Sequence, residues 1–275
     1  LTDVKTGITA FGWSPDGSRI AFTMRDQASD EEEKAAKGKD DSRWVDENVK
    51  MNRLYVVSIQ KDDKGKREPR KLTTGDYTVE ADFDWSSDGK AIAFSKTRMP
   101  KADYWTTGDV MSVDVATAEV KPLSATGAAE SRPLYSPDGK WVAISVTDNP
   151  ARWAGNVRIS LIPAGGGAPK PMPWSYDAQP GAIGWSANGD RLFFAETRGT
   201  LTKIYAINVN ANMISEVSKG DAVFGGIEMN RAHTMFGFTM QRADTATEAF
   251  VSRVDNFAPV QITNANANLP KLPVG

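Results

Sequence analysis

One five-residue pattern occurs four times in this chain of 275 residues. The copies are WSPDG at 13–17, WSSDG at 85–89, YSPDG at 135–139 and WSANG at 185–189. After the first aromatic residue of each copy, apolar residues follow at offsets of seven and nine, which is the alternation of a β-strand that buries one face. Pro-Asp-Gly and Asn-Gly favour tight turns, because Pro fixes φ and Gly accepts positive φ. The pattern therefore predicts a repeated β-hairpin, in which Asp16, Asp88 and Asp138 are turn residues rather than catalytic groups.

Each copy opens a longer unit that contains four predicted strands. A further strand is predicted in each of the ranges 53–59, 109–115, 156–162 and 203–209, and a short apolar segment closes each unit. A fifth, degenerate copy follows, in which Met229 replaces the aromatic residue while Phe236 and Phe238 keep the two offsets. Four-stranded units with a period of about 45 to 50 residues are typical of β-propellers. The sequence thus predicts an all-β fold, a β-propeller of four-stranded antiparallel blades with five visible repeats in an incomplete, open ring.

The predicted propeller covers residues 1–264. The repeats span about 3–74, 75–124, 125–174, 175–219 and 220–264. Because the dipeptide Leu1-Thr2 resembles segments that close later repeats, we expect a fragment that lacks earlier blades of the ring. The two end faces would then carry Trp13 and Phe22 on one side and Phe236 and Phe238 on the other. Exposed apolar faces of this kind favour self-association.

The first repeat is longer than the others because a charged segment lies between residues 24 and 52. Ser29 and Glu32 have the spacing of a helix capping box, and Gly38 can end a helix. A short surface helix is therefore predicted here. Two interpretations of the segment stay open: a solvated excursion without a ligand, or a contact used in assembly or substrate gating.

Composition argues against several classes of function. The net charge is −2 and no dense Lys/Arg block occurs, so no nucleic-acid partner is predicted. No apolar run approaches the roughly 20 residues that span a membrane, so no membrane partner is predicted. The chain contains no Cys and one His, and therefore neither a metal site nor a cofactor is predicted. The absence of Cys fits a cytoplasmic and a periplasmic location equally well.

Three longer segments add a resemblance to a known family. They are DDSRWVDENVKMNRLYVVSI at 40–59, GDVMSVDVATAEVKPLS at 108–124 and VQITNANANLPKLPVG at 260–275. Together with the WSPDG repeat, they resemble the β-propeller of S9 (prolyl oligopeptidase-like) serine peptidases, in the acylaminoacyl-peptidase and dipeptidyl-aminopeptidase branch. TolB-like propellers share the repeat. The resemblance implies a bacterial protein in which residues 265–275 are a linker towards a C-terminal α/β-hydrolase domain in cis. It also implies a peptide substrate, and a periplasmic or secreted location in preference to a cytoplasmic one.

The sequence itself lacks the catalytic groups of a serine peptidase. It contains no G-x-S-x-G nucleophile elbow, and its one histidine, His233, falls at the turn position that Gly189 occupies in the fourth repeat. We therefore expect this chain alone to hydrolyse no peptide. The predicted function is a non-catalytic, substrate-gating propeller of a peptidase that acts on short peptides by aminoacyl or acylaminoacyl release. The alternative is a free-standing TolB-like propeller that mediates protein–protein interaction.

Candidate substrate contacts follow from the predicted architecture. The first strand of each propeller blade lines the central channel, so alternate residues of that strand face a substrate. The polar residues at these places are Glu80, Asp82, Asp84, Arg132 and Glu228. Carboxylates could hold the amino terminus of a peptide, and the arginine could hold a carbonyl or carboxylate group. The other interpretation is a solvated channel lining with no dedicated ligand.

Overall fold

The computed structural model describes residues 2, 4–40, 42, 44, 46–124 and 126–268. Within these residues, the strands form five four-stranded antiparallel sheets. The first sheet contains β1 (Ile8–Trp13), β2 (Arg19–Arg25), β3 (Asn52–Ser58) and β4 (Arg70–Lys71). The second contains β5 (Thr78–Trp85), β6 (Ala91–Thr97), β7 (Asp109–Asp114) and β8 (Val120–Pro122). The third contains β9 (Glu130–Tyr135), β10 (Trp141–Thr147), β11 (Val157–Pro163) and β12 (Lys170–Pro171).

The fourth sheet contains β13 (Gly181–Trp185), β14 (Arg191–Arg198), β15 (Leu201–Asn208) and β16 (Met213–Glu216). The fifth contains β17 (Val223–Met229), β18 (Met235–Arg242), β19 (Thr245–Arg253) and β20 (Val260–Gln261). Neighbouring strands in every sheet are consecutive in the chain, so each sheet is a simple meander. The predicted all-β fold of four-stranded blades is confirmed. Residue Leu1 and residues 269–275 of the predicted linker lie outside the described residues.

The chain divides into two compact units. The first unit comprises Leu1–Tyr135, Trp141–Gly155 and Ile162–Pro169. The second unit comprises Ser136–Lys140, Asn156–Leu161 and Lys170–Gly275. Each has its own buried apolar side chains: Trp85 packs with Leu54 and Phe94 in the first unit, and Phe193 packs with Phe236 in the second.

The repeated pentapeptide builds the same hairpin in each sheet. Its first residue pairs with the residue at offset seven on the next strand, and the pairs are Trp13 with Ile20, Trp85 with Ile92, Tyr135 with Val142, Trp185 with Leu192 and Met229 with Phe236. The turn glycines Gly17, Gly89, Gly139 and Gly189 all have φ between 68° and 72°. Asp16, Asp88 and Asp138 accept backbone N–H groups of Ser18, Lys90 and Lys140, two residues further on. These carboxylates therefore hold the turns, as the sequence predicts.

The fifth hairpin achieves the same turn without glycine. His233 lies at the glycine position with φ of 55°, and its N–H donates to the carbonyl of Asn230 at 2.9 Å. In the fourth hairpin, the N–H of Gly189 donates to Ser186 in the same way at 2.9 Å. The predicted turn position of His233 is thus confirmed. Its Nδ1 is buried and has no hydrogen-bond partner among the described residues.

Replacing His233 with Gly is expected to raise the free energy of unfolding. A side chain in the left-handed region costs about 1–2 kcal/mol and the entropy of Gly costs about 0.5–1 kcal/mol, so we expect a net gain of about 0.5 to 1 kcal/mol. Urea unfolding followed by circular dichroism measures this gain. Gly189→Ala is the opposite control, because its Cβ would lie 3.0 Å from Cγ of Asp138 at a φ of 72°. A loss of stability in His233→Gly would contradict the proposed strain.

The prediction that Phe22, Phe236 and Phe238 are exposed is wrong. Phe22 stacks on Tyr55 of the adjacent strand with ring centroids 5.5 Å apart. Phe236 and Phe238 are buried in the aromatic cluster of the second unit, where the ring of Phe257 covers both. Trp13, by contrast, is 54% exposed. Partners within the same sheet and its loops bury Phe22 and Phe238, whereas Phe193 of the fourth sheet also packs against Phe236. The sequence offsets do not reveal these contacts.

The charged segment of the first repeat contains the predicted helix, α1 (Asp30–Lys37), which has no buried residue. Its capping box is confirmed: the N–H of Glu32 donates to Ser29 Oγ at 3.2 Å, and the N–H of Ser29 donates to the Glu32 carboxylate at 2.5 Å. Gly38 caps the C-terminus in a right-handed conformation, and Lys39 adopts the left-handed one with φ of 61°. Gly38 therefore ends the helix as predicted, but the left-handed conformation that often follows a helix is adopted by Lys39 and not by Gly38.

Candidate functional site

The first strand of each sheet is irregular at one place. The pairing between the first and second strands shifts between Ile8 and Ala10, between Val79 and Phe83, between Ala143 and Ser145, between Ala182 and Gly184, and between Gly225 and Glu228. Such β-bulges bend the strand and turn side chains away from the regular alternation. In β5 the bulge contains Glu80 and Asp82, and in β9 it contains Arg132. The bulges themselves thus contain three of the five predicted substrate contacts.

These three residues line one cavity of the first unit, with a volume of about 780 Å³. The wall also includes Arg25, Ser95, Lys96, Lys101, Trp105 and Glu130. Pockets of about 300–1,000 Å³ accommodate small ligands. The cavity therefore has the size of a site for a small molecule or a short peptide segment.

A carboxylate of β5 fixes the backbone of β9 at the cavity wall. Ser95 Oγ donates to Asp82 Oδ2 at 2.6 Å, and the N–H of Arg132 donates to the same carboxylate oxygen. The N–H of Arg132 also lies 3.1 Å from Ser95 Oγ. Arg132 has φ of 55°, a conformation that non-glycine residues adopt at an energetic cost. Asp82 and Ser95 together hold this strained residue in place, while its side chain is exposed.

The other two carboxylates of the wall also accept hydrogen bonds from their own chain. Thr97 Oγ1 donates to Glu80 Oε1 at 2.6 Å. Glu130 is only 1% exposed and accepts from Ser124 Oγ at 2.8 Å and from the N–H of Thr126 at 3.1 Å. Its second oxygen, Oε2, has no donor in the described part of the chain. Glu130 therefore organises the loop before β9, and buried carboxylates of this kind stay in place when hydrogen bonds satisfy them.

The cations of the wall fall into two kinds. Lys96 pairs with Asp109 at 2.6 Å, and Lys101 forms an ion pair with Asp46. For Arg25 and Arg132, in contrast, the hydrogen bonds among the described residues involve backbone atoms. The lysine charges are thus neutralised within the protein, and the two guanidinium groups keep their donors available.

Two tryptophans form an aromatic contact beside these charged groups. Trp105 belongs to a 3-10 helix, Ala102–Thr107, and lines the cavity. Its ring meets that of Trp153 edge to face, with centroids 6.0 Å apart. Trp153 is highly exposed. An apolar side chain of a ligand would gain contact area from these two rings.

The chain is similar to several known proteins, although most of them share little sequence identity with it. No family model matches the chain. Among curated proteins it is similar to dipeptidyl-peptidase 5 of Trichophyton schoenleinii, with 27% identity over 142 residues that cover 47% of this chain and 20% of that protein. Among solved structures it is similar to the acylaminoacyl peptidase of Pyrococcus horikoshii, with a TM-score of 0.65, 14% identity, and coverage of 97% of this chain and 39% of that one. It is also similar to TolB of Acinetobacter baumannii, with a TM-score of 0.56, 16% identity and coverage of 92% and 53%.

The fold is a TolB-like β-propeller. The predicted resemblance to the propellers of S9 peptidases is confirmed by the dipeptidyl-peptidase relative and the acylaminoacyl peptidase structure. The match spans about a fifth of the length of the curated relative. That relative is fungal, so a bacterial source stays a prediction.

The remaining two predicted site residues of the propeller lie elsewhere. Asp84 is not part of the cavity wall: it accepts the N–H of Tyr135 at 2.7 Å and that of Trp85 at 3.0 Å. Burial raises the pKa of the Asp84 carboxyl to about 7, although both hydrogen bonds lower it. Glu228 occupies the same repeat position in β17, in the second unit, and its side chain is exposed. The roles of all five residues in substrate contact stay predictions.

Sequence reasoning did not find Arg25, Trp105 or Glu130. Arg25 ends a second strand and Trp105 lies in a helix between strands, so neither belongs to the first strands that were searched. Glu130 is the first residue of β9, at the opposite end of the strand from the repeated aromatic residue Tyr135.

No group of three or more His, Cys, Asp or Glu side chains in the described ranges is placed to hold a metal ion. None of the helices described for this chain has the length and apolar character needed to cross a membrane.

Proposed function

We propose that this chain is the non-catalytic propeller of an S9 serine peptidase, and that it selects short peptides for a catalytic domain of the same protein. The observation that carries the proposal is the cavity of the first unit, which brings Glu80, Asp82 and Arg132 to one wall. Carboxylates and a guanidinium group recognise the charged and polar groups of a peptide. A volume of about 780 Å³ suits a few peptide residues and not a folded protein.

Two further observations support a peptidase. The similarity to dipeptidyl-peptidase 5 extends over about half of this chain, and that protein is by name a peptidase. The one histidine lies in a turn, where its backbone N–H donates to the carbonyl of Asn230, and the proposal assigns the catalytic base to a residue outside this chain. A separate catalytic domain then supplies nucleophile, base and oxyanion hole.

The second candidate function is a TolB-like interaction module. Phe11 and Trp13 are 69% and 54% exposed on one strand of the first unit, and exposed aromatic residues favour protein partners. If the chain is an interaction module, it should bind a partner protein and should not affect the cleavage of short peptides. If it is the propeller of a peptidase, it should favour short peptides over folded proteins.

This chain alone is expected to hydrolyse neither aminoacyl nor acylaminoacyl chromogenic substrates, since its sequence contains no G-x-S-x-G nucleophile elbow. The protein encoded by the complete reading frame is expected to cleave them and to be blocked by a serine-directed inhibitor. It should also cleave a short peptide while leaving the same sequence intact within a folded domain.

Each outcome separates the two candidates. Turnover by this chain that survives repurification would contradict the absence of catalytic groups. A complete protein without peptidase activity, or without a G-x-S-x-G segment, would reject the peptidase and support the interaction module. Equal cleavage of the short and the folded substrate would reject selection by the propeller.

A further inference from the structure

We propose that the cavity of the first unit is a carboxylate-binding site, in which Arg25 and Arg132 hold an anionic group of the ligand. The inference rests on the proposed function for its ligand, a short peptide, and adds the chemical feature by which that peptide is selected. The two arginines come from different sheets, at the end of β2 and in the bulge of β9, and line the same cavity.

The first argument is the balance of hydrogen-bond donors and acceptors. A guanidinium group carries five N–H donors and stays charged, and it matches a carboxylate with two parallel bonds. In the described part of the chain, the hydrogen bonds of Arg25 and Arg132 use backbone atoms and leave both side chains available. Both side chains are exposed. The wall therefore offers cationic donors that lack acceptors.

The second argument concerns the carboxylates of the wall, which accept hydrogen bonds from their own chain. Glu80 accepts from Thr97, Asp82 accepts from Ser95 and from the backbone of Arg132, and Glu130 accepts from Ser124 and Thr126. Glu130 is also almost fully removed from the surface. These bonds fix the carboxylates in place, whereas the guanidinium donors of Arg25 and Arg132 stay without acceptors among the described residues, so these two side chains are the groups of the wall that an anionic ligand group would meet.

Asp82 has a positioning role in this site. Its carboxylate receives the N–H of Arg132 and so holds the backbone of that residue at φ of 55°. Without this bond, Arg132 would relax towards an ordinary conformation and its side chain would leave the cavity wall. Bulges that re-aim one side chain are typical of binding sites.

The adjacent aromatic pair completes the description of the ligand. Trp105 lines the cavity and Trp153 packs against it with an exposed ring, so an apolar side chain next to the anionic group would contact both. The ligand is therefore a short peptide that presents a carboxylate beside an apolar residue. The carboxylate comes either from the C-terminus or from an acidic side chain. In both cases the guanidinium groups of Arg25 and Arg132 would bind it.

Isothermal titration of this chain with three peptides tests the site and separates the two sources. The peptides are Ala-Ala-Phe with a free carboxylate, Ala-Ala-Phe amide and Ala-Asp-Phe amide. We expect at least one acidic peptide to bind about tenfold more tightly than Ala-Ala-Phe amide, since a lost charge-assisted pair costs about that factor or more. Preference for the first peptide indicates the C-terminus, and preference for the third indicates a side chain.

Variants connect the preference to the arginines. Arg25→Gln and Arg132→Gln should each reduce the preference for the acid over the amide, and the double variant should abolish it. Arg231→Gln is the matched control, because Arg231 is exposed in a turn of the second unit and lines no part of this cavity. Arg25→Gln removes no side-chain hydrogen bond within the described residues, so it carries the test even if Arg132→Gln unfolds.

Asp82 is tested by its effect on selectivity. Asp82→Asn keeps an acceptor for the N–H of Arg132 and should retain the preference, whereas Asp82→Ala should lose it. Equal binding of acids and amide, a double arginine variant that keeps the preference, or no binding of any peptide at millimolar concentration would overturn the carboxylate site. Cleavage by the complete protein can persist in each of these cases, so the failure of this inference differs from the failure of the proposed function.

Discussion

Trp85→Ala is expected to lower the free energy of unfolding by about 3–5 kcal/mol, the usual cost of removing a large buried aromatic side chain. The ring is 6% exposed and packs in the buried cluster that includes Leu54 and Phe94. Its Nε1 donates to the carbonyl of Gly12 at 3.2 Å, and this acceptor would lose its donor. Urea unfolding followed by far-ultraviolet circular dichroism measures the change and avoids tryptophan fluorescence.

The pentapeptide repeat supplies a matched control for this prediction. Trp13 has the same place in its hairpin and pairs with Ile20 as Trp85 pairs with Ile92, yet it is 54% exposed. Trp13→Ala should therefore cost less than about 1 kcal/mol. A similar loss in both variants would mean that the repeated aromatic residue acts through the hairpin itself and not through burial.

Local signals in the sequence predicted the hairpins of this fold well. The offset of seven corresponds to the observed pairing in all five sheets, and the turn glycines of the first four hairpins have positive φ, because both features depend on neighbours within one hairpin. Burial was predicted less well. Phe238 is covered by Phe257, which follows it by 19 positions in a segment without strand periodicity, and no local pattern indicates that contact.

At the candidate site, too, local patterns in the sequence predicted some residues, whereas contacts between distant residues could not be predicted. Alternation along the first strands predicted Glu80, Asp82 and Arg132, and the structure places them at one cavity. Alternation also predicted Asp84, whose side chain instead bonds to the backbone of the neighbouring first strand. The bond between Asp82 and Arg132 joins residues 50 positions apart, so its geometry could not be read from the sequence.

Raising the pH from 5.5 to 8 is expected to remove about 2 kcal/mol of stability through Asp84 alone. Burial raises the pKa of this carboxyl in the folded chain to about 7, whereas an unfolded Asp ionises near 4. Between these values the folded state keeps a proton that the unfolded state has lost. Stability from this group is therefore complete below about pH 4 and is lost as the pH rises through about 7.

Asp84→Asn isolates this contribution, because it removes the titrating group and keeps the size of the side chain. Carboxyls with lowered pKa values, such as those of Glu32 and Glu248, have the opposite effect on stability, but they act below about pH 5 and outside the chosen range. All other groups titrate equally in both proteins and cancel in the difference. Urea unfolding at pH 5.5 and pH 8 should thus show a loss in the native chain that exceeds the loss in Asp84→Asn by about 2 kcal/mol. Equal losses in the two proteins would show that Asp84 is already ionised in the fold, so that its bonds to Tyr135 and Trp85 outweigh the cost of burying its charge.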